Sequence, residues 1–105
     1  MDIKKAEKRF IPMSETMFYI LLSLQEEAHG YGVMLHVREI TNGRIVLGAG
    51  TIYQSIAKLQ EDGLIASAGE VDRKKMYRIT ELGREILKIE AKRIAELYKN
   101  LEGLR

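Results

Sequence analysis

The 105-residue sequence contains no cysteine and no tryptophan, has a single proline, and only 7% of its residues are aromatic. The lack of cysteine excludes a disulfide framework, thiol catalysis and a metal site built on thiolates. No apolar run approaches the roughly 18 residues that span a bilayer, and the charged start of the chain does not resemble a signal peptide. We therefore expect a cytoplasmic protein that does not enter the membrane.

Residues for catalysis or metal binding are present only in patterns that do not form a site. Serine, histidine and aspartate all occur, but without a nucleophile turn or a convergent spacing. His36 and Glu39 have a spacing that can hold a metal, yet two ligands are too few. We expect no enzymatic activity, no metal site and no cofactor.

The overall charge does not decide between the remaining classes of binding protein. The composition is 46% hydrophobic and 30% charged, as in ordinary folded domains, and the length suits one domain. A formal net charge of +2 permits nucleic-acid binding without arguing for it. Whether the chain binds nucleic acid must therefore be judged from where its lysines and arginines lie.

Residues 47–65 predict a short helix with marked ends. Gly48 can act as the N-cap, and Gly63 supplies the left-handed residue that ends a helix. One apolar stripe is formed by Ile52, Ile56 and Leu59. The other faces carry Thr51, Gln54, Ser55 and Lys58. This distribution suits a helix that packs on the protein and turns a polar face to a DNA major groove, although an ordinary amphipathic surface helix remains an alternative.

Helical spacing predicts further helices on both sides of this segment. One runs from about Glu15, after Ser14 as N-cap, to Ala28, and the last runs from Thr80 as N-cap to about Leu101. Between them, a break at residues 29–32 precedes a helix that ends at Asn42-Gly43, and residues 44–47 resemble a short strand. The basic residues 2–11 predict either an extra helix, with Ile3, Ala6 and Phe10 on one face, or a phosphate-contacting arm.

A hairpin with a basic tip is predicted after Gly63. Strand-like residues 64–68 and 76–79 flank the polar segment 69–75. Its cations, Arg73, Lys74 and Lys75, would neutralise phosphates, whereas the alternative is a solvated charged turn. Three helices followed by a hairpin are the order of a winged helix-turn-helix.

We therefore predict a mainly α (α+β) fold: a winged helix-turn-helix with a two-stranded wing and a long C-terminal helix. The predicted domains are residues 1–80, which would bind DNA, and the dimerisation helix at residues 81–105.

Four stretches in this order carry a family likeness. They are MFYILLSL at residues 17–24, HGYG at 29–32, GTIY at 50–53 with Leu59 and GLI at 63–65 following, and RKKMYRITELG at 73–83. Over about residues 13–88 the chain resembles the PadR-type transcriptional regulators in their short form. It departs from them at Gly48-Ala49, where the family often has Ser-Pro, which weakens the helix cap but keeps the helical geometry.

The resemblance implies a homodimeric repressor that binds double-stranded DNA at a pseudo-palindromic operator. It implies that Thr51, Tyr53 and Lys58 lie at or near DNA, with Tyr53 at a phosphate. Together with the residue pattern, the predicted DNA contacts are Thr51, Tyr53, Gln54, Ser55, Lys58, Arg73, Lys74 and Lys75. The rival class is a winged-helix module that binds another protein without specific DNA binding.

The C-terminal helix predicts a homodimer from its own pattern. It carries two apolar stripes, more than one small core covers. A symmetry-related copy would bury them and place two recognition helices about one DNA turn apart. The predicted interface residues are Ile86, Leu87, Ile94, Leu97, Tyr98 and Leu101. The alternative is that both stripes pack on the chain's own domain.

The resemblance also implies an aromatic small-molecule effector, since some short PadR-like proteins bind flat aromatic compounds at the dimer interface. A tryptophan stacking platform is excluded here because the chain has no tryptophan. The candidates to line a cavity are Phe10, Phe18 and Tyr98.

Overall fold

The structure, a computed structural model, describes residues 1–104, which form five α-helices and one two-stranded antiparallel sheet. In chain order the elements are α1 (Ile3–Phe10), α2 (Glu15–Ser23), α3 (Gly30–Ile40), α4 (Ala49–Glu61), β1 (Ile65–Val71), β2 (Lys74–Ile79) and α5 (Glu81–Lys99), followed by a 3₁₀ turn at Asn100–Leu104. The predicted mainly α winged helix-turn-helix with a two-stranded wing and a long C-terminal helix is confirmed. No helix among the described residues is long and apolar enough to cross a membrane.

Side-chain caps fix where most of the helices begin. A side-chain acceptor bonds a backbone N–H of the first turn at each of Asp2, Ser14, His29 and Thr80. The predicted caps Ser14 and Thr80 are thereby confirmed. His29 accepts through Nδ1, so α3 already begins at Gly30, inside the segment predicted as a break.

Gly48 and Gly63 delimit α4 as predicted. Gly48 is the N-cap and has no side chain to bond the first turn. Gly63 has a φ of +80°, and its N–H donates to the carbonyl of Gln60 at 3.1 Å. The N–H of Leu64 donates to the carbonyl of Leu59 at 2.8 Å, which completes the paired bonds of a Schellman cap.

The core lies between α2, α3, α4, the base of the sheet and the first half of α5. Its fully buried side chains include Ile20, Leu21, Leu24, Val33, Val37, Ile52, Leu59, Leu64 and Ile86. The stripe predicted on α4 is confirmed, because Ile56 is buried together with Ile52 and Leu59. Of the two alternatives for residues 2–11, the structure shows the helix: Ala6 and Phe10 are buried and α1 packs on α5.

The second helix is shorter than predicted. It ends at Ser23, with Leu24 as its C-cap, and does not continue to Ala28. Ala28 instead exchanges two backbone hydrogen bonds with Tyr77 of β2, at 3.0 and 2.9 Å. A distant strand therefore satisfies the backbone groups that a further helical turn would have used.

The short strand predicted at residues 44–47 is wrong. These residues form an irregular loop that the Thr41 hydroxyl holds, since it donates to the carbonyl of Val37 at 2.8 Å and accepts from the N–H of Ile45 at 3.1 Å. A β-branched run forms a strand only where another strand pairs with it, and none is adjacent within the described residues.

The wing has longer strands and a tighter turn than predicted. Its strands cover most of the predicted loop, residues 69–75, and leave Asp72 and Arg73 as a two-residue turn. Their φ angles are 51° and 66°. Positive φ at both positions is the type I′ geometry that matches the twist of a hairpin. Lys74 and Lys75 consequently lie in β2 and not in a loop.

The fifth helix projects beyond the core. Its first half is buried at Gly83, Ile86, Leu87 and Glu90, and its C-terminal half is largely exposed. The overall extents of 51 × 34 × 21 Å reflect this extended shape. The range predicted for the dimerisation helix ends at Arg105, which lies outside the described residues.

Candidate nucleic-acid interface

Helix α4 presents a polar face opposite its buried stripe. Gln54 lies two residues from both Ile52 and Ile56, which puts it on the far side of a helix with 3.6 residues per turn. The exposed residues of α4 from position 50 onward are Gly50, Thr51, Tyr53, Gln54, Ala57, Lys58, Gln60 and Glu61, and Ser55 is half-buried. The structure thus brings the predicted contacts Thr51, Gln54 and Lys58 to the surface of one helix.

The two ends of α4 differ in electrostatic character. Its first turn has no acidic residue and carries the unpaired backbone N–H groups of a helix start. Glu61 and Asp62 lie at its other end. Phosphate oxygens are attracted to the first end and repelled by the carboxylates at the second. The N-terminal half of α4 is therefore the part that suits insertion into a DNA groove.

The backbone of Gly30 positions Tyr53. A Cβ at Gly30 would lie 2.8 Å from Cε1 of the Tyr53 ring and 3.0 Å from its hydroxyl oxygen. Tyr53 is 52% exposed, although the edge of its ring that carries the hydroxyl packs against the start of α3. This contact gives a physical reason for Gly30, the first glycine of the HGYG stretch, which helical spacing did not explain.

Lys58 shares the exposed face of α4 with Thr51 and Gln54, from which it is separated by seven and four residues. Its Nζ lies 5.9 Å from the ring centroid of Phe10 in α1, within the range of a cation–π contact. Lys58 therefore sits on the flank of α4 that faces α1, away from the flank that carries Tyr53.

The three predicted wing cations do not share one surface. Tyr77 and Ile79 are buried, so Lys75 belongs to the same inward face of β2 by the alternation of a strand. Lys74 and Arg78 occupy the outward face, and both are exposed. Arg78 was missed as a candidate contact, although the alternation along β2 could have revealed it.

A cleft of about 340 Å³ lies between α4 and the wing. It is lined by Gln60, Ser67, Gly69, Glu70, Lys75 and Tyr77. Glu70 is paired directly opposite Lys75 in the sheet, which balances part of the lysine charge. Gln60 was also missed, since no sequence signal shows that this flank of α4 faces the wing.

The C-terminal half of α5 carries an exposed apolar stripe. Its members in α5 are Ile94, Leu97 and Tyr98, and Leu101 and Leu104 follow in the 3₁₀ turn. The predicted interface also included Ile86 and Leu87, and this part of the prediction is corrected. Ile86 is 0% and Leu87 6% exposed, because both pack in the core of their own protomer and have no surface left for a partner.

A buried carboxylate joins α5 to the start of α2. The side chain of Glu90 is 0% exposed, and its Oε2 accepts from the backbone N–H of Met13 at 2.6 Å. Arg93 donates to the same carboxylate through Nε at 2.5 Å and Nη2 at 3.0 Å. These donors, Arg93 first, hold the pKa of Glu90 below its ordinary value, and Glu90 in turn raises the pKa of Arg93.

No metal-binding cluster of three or more histidine, cysteine or acidic residues occurs in residues 1–104. His36, which was considered with Glu39, instead contacts the hydroxyl of Ser23 through Nδ1 at 2.7 Å.

A cavity of about 370 Å³ lies beside the exposed stripe of α5. It is lined by Met13, Glu15, Phe18, Tyr19, Arg44, Arg93 and Ile94. The rings of Phe18 and Tyr19 meet edge to face with centroids 5.8 Å apart. Of the three aromatic residues proposed to line an effector cavity, only Phe18 lines this cavity. Phe10 is buried beneath Lys58, and Tyr98 is exposed one turn beyond Ile94.

Comparison with known proteins places this fold among regulators. Residues 18–89 match the model of the PadR-like family of transcriptional regulators. The transcriptional regulator YqjI of Escherichia coli K12 is 27% identical over 97 residues, which cover 91% of this chain and 47% of that protein. The chain spans less than half the length of the curated relatives it matches.

Solved structures share the same architecture. A PadR family transcription regulator from Clostridium difficile superposes with a TM-score of 0.75 at 22% identity, over 87% of this chain and 98% of that one. Bacillus subtilis PadR, solved in complex with operator DNA, superposes with a TM-score of 0.59 at 23% identity, over 70% of this chain and 44% of that one. These likenesses establish the winged-helix fold, and the family is one of transcriptional regulators, not of enzymes. Because the family model covers more than half of its length, the chain belongs to the PadR-like family of transcriptional regulators.

Proposed function

We propose that this chain is a homodimeric repressor that binds a pseudo-palindromic operator in double-stranded DNA. The observation that carries the proposal is the exposed polar face of α4, with the wing cations beside it, in a chain of a regulator family. The operator complex of its structural neighbour Bacillus subtilis PadR supports the same mode of binding. The proposed repressor acts in the cytoplasm and needs neither enzymatic activity nor a cofactor.

The N-terminal half of α4 reads the bases. Gln54 lies at the centre of the exposed face, and a glutamine amide can form the bidentate pair with adenine in the major groove. Thr51 lies one turn before it, where its methyl and hydroxyl groups suit a base edge. Ser55, which is half-buried, contributes at the flank of this face.

Backbone contacts hold the helix in register. The Tyr53 hydroxyl, supported by the packing of its ring at Gly30, donates to a phosphate. Lys58 contributes its charge from the opposite flank of α4. The wing adds cations at Arg73, Lys74 and Lys75. Each neutralised phosphate releases counterions and makes the affinity more sensitive to salt.

The exposed stripe of α5 makes the dimer. Leu97 and Tyr98 are 52% and 72% exposed, although they lie on the apolar face of an amphipathic helix. Burying this stripe against a second copy removes apolar surface from water and presents two recognition helices to two half-sites. Residues 1–80 then form the DNA-binding domain and residues 81–105 the dimerisation helix.

The proposed repression is relieved by a planar aromatic effector in the cavity beside α5. Phe18 supplies an aromatic wall there and Ile94 links the cavity to the dimer stripe. Titration of the purified dimer with planar aromatic dyes should give a saturable fluorescence change that weakens in Phe18→Leu. The absence of any saturable signal would count against the effector.

The DNA-binding proposal is tested by fluorescence anisotropy on an operator and on a scrambled duplex at several salt concentrations. We expect Gln54→Ala to lose about 1–3 kcal/mol of discrimination between them. We expect Lys74→Ala, which removes an exposed wing cation that has Val71 opposite it in the sheet, to weaken binding to both duplexes and to lower the salt slope by about 0.9. The control is Lys88→Ala, which removes an exposed cation from α5. If neither α4 nor wing variants differ from the control, the protein-interaction module becomes the better assignment.

The dimer proposal is tested by sedimentation velocity. Leu97→Glu places a charge in the exposed stripe and should give a monomer at concentrations where the unsubstituted protein is a dimer. Leu35→Glu, which changes an exposed leucine of α3, is the matched control and should stay dimeric. A dimer that survives Leu97→Glu would exclude this stripe as the interface.

A further inference from the structure

The C-terminal end of the recognition helix holds a buried charge. Asp62 is the C-cap of α4, its side chain is 8% exposed, and its Oδ2 has no aligned hydrogen-bond donor. The last carbonyl groups of a helix already create a negative potential at this position. A carboxylate there loses solvation and is also repelled by the helix, so it needs a compensating charge.

That charge comes from the N-terminal helix. Arg9 of α1 places Nε 2.8 Å from Oδ2 of Asp62, close enough for an ion pair although the N–H is not aimed at the oxygen. The next residue of α1, Phe10, lies beneath the ammonium of Lys58, one turn earlier on α4. Each helix therefore gives one cation to the other. We refer to Arg9, Phe10, Lys58 and Asp62 as the α1–α4 clasp.

The same N-terminal segment is also attached to α5. Ala6 is 0% exposed, and α1 packs on α5 along this face. Just after α1, the backbone N–H of Met13 donates to the buried Glu90 of α5. The segment from α1 to Met13 thus contacts both the helix that would read DNA and the helix that would form the dimer.

Stability alone gives a weak reason for the ion pair of the clasp. Arg9 is 49% exposed, so solvent screens its attraction to Asp62, while burying the carboxylate is unfavourable. An apolar pair of similar volume would hold the two helices equally well. An ion pair between a particular atom of α1 and the end of α4 instead favours one relative position of these helices.

We propose that Arg9 is a positioning residue: through Asp62 it fixes α4 relative to α5 in each protomer, and so determines which half-site spacing the dimer accepts. This inference rests on the proposed function, since a half-site spacing exists only for a dimer on DNA. Half-sites lie about 34 Å apart and successive base pairs about 3.4 Å apart. One base pair moves a half-site by about 3.4 Å and turns it by about 35° about the DNA axis, so α4 has to shift by about half of each in each protomer to change the preferred spacing by one base pair.

The test compares operators whose half-site spacing is the preferred one or differs by one base pair. For the unsubstituted protein we expect the altered spacing to weaken binding by at least about fivefold. Arg9→Gln should reduce this penalty to about twofold or less, and Arg9→Lys, which keeps the charge, should restore most of it. Lys8→Gln removes a neighbouring exposed cation of α1 and is the matched control, which should keep the full penalty.

A second variant and a second readout separate positioning by Arg9 from misfolding and from a direct phosphate contact. Asp62→Asn removes the same ion pair from α4 and should reduce the spacing penalty equally, which covers the case in which Arg9→Gln does not fold. The salt slope of Arg9→Gln should match that of the unsubstituted protein. A slope lower by about 0.9 would mean that Arg9 contacts a phosphate, and would overturn the proposal.

Two further results have separate meanings. If Arg9→Gln and Asp62→Asn both keep the spacing penalty of Lys8→Gln, the clasp does not set the spacing and the proposal is wrong. If the unsubstituted protein binds operator and scrambled DNA equally, the proposed function fails, and the role of Arg9 in spacing fails with it.

Discussion

Gly83 occupies a close contact between the DNA-binding domain and α5, and Gly83→Ala tests that packing directly. A Cβ at this position would lie 2.0 Å from the carbonyl oxygen of Leu64 and 2.8 Å from Cγ1 of Ile79. The Leu64 carbonyl also accepts the backbone N–H of Thr80 at 3.0 Å. Because backbone cannot move aside as a flexible side chain can, α5 has to shift away from the sheet.

The expected loss of stability follows from this geometry. Overpacking a well-filled site costs about 1–3 kcal/mol. Displacing the start of α5 also weakens the Thr80 cap, where its hydroxyl accepts from the N–H of Gly83 at 3.1 Å, for about 1 kcal/mol more. Alanine regains up to about 1 kcal/mol of helix propensity. The net loss of about 1–3 kcal/mol should lower the melting temperature by roughly 5–20 °C in a domain of this size.

Thermal melts followed by circular dichroism at one fixed protomer concentration measure this loss. Gly50→Ala is the matched control, since Gly50 is also helical and a Cβ there meets nothing within 4 Å. It should leave the melting temperature unchanged or raise it, because alanine favours the helix. If Gly83→Ala melts at the same temperature as Gly50→Ala, the close contact with Leu64 is wrong.

Three further changes test other parts of the structure. Glu90→Gln should destabilise the protein at neutral pH, because it removes the carboxylate that pairs with Arg93. Arg93 lowers the pKa of Glu90 in the folded state, so the stabilisation from this pair is complete above the ordinary carboxyl pKa. It is lost as the pH falls through the lowered pKa. The melting temperatures of Glu90→Gln and the unsubstituted protein should therefore converge as the pH falls through the acidic range. A difference that stays constant with pH would contradict the ion pair. Gly30→Ala should displace the Tyr53 ring and weaken DNA binding by about 1.5–3 kcal/mol in anisotropy titrations, and unchanged affinity would exclude the phosphate contact. Arg73→Gly should stabilise the wing turn by about 1 kcal/mol, because φ there is 66°, while lowering the salt slope of DNA binding by about 0.9; an unchanged slope would mean that Arg73 does not contact a phosphate.

Helix α4 could be predicted because its signals are local. Gly48 and Gly63 mark its ends, and the stripe between them has a helical period over the whole length. The polar face follows from the same period. The early end of α2 could not be predicted in this way, since it depends on Ala28 pairing with the distant Tyr77.

A single sequence also does not show which surface an apolar stripe packs against. The pattern of α5 showed that Leu87 and Leu97 are apolar positions of one helix, but not that the first packs in the core and the second is exposed. The α1–α4 clasp could not be predicted for the same reason, because Arg9 and Asp62 are distant in sequence and only the packing of α1 brings them together. Local periodicity fixes the face of a helix, and tertiary contacts decide what covers it.

The most direct test of the central claim is selection of bound duplexes from random-sequence DNA, followed by anisotropy of the enriched and scrambled sequences at several salt concentrations. A dimer that inserts α4 into two major grooves should enrich a pseudo-palindrome with half-sites about one helical turn apart. It should bind that sequence at least about 10³-fold more tightly than scrambled DNA, with affinity falling as salt rises. No enriched motif and equal, weak binding to both duplexes would contradict sequence-specific recognition by α4.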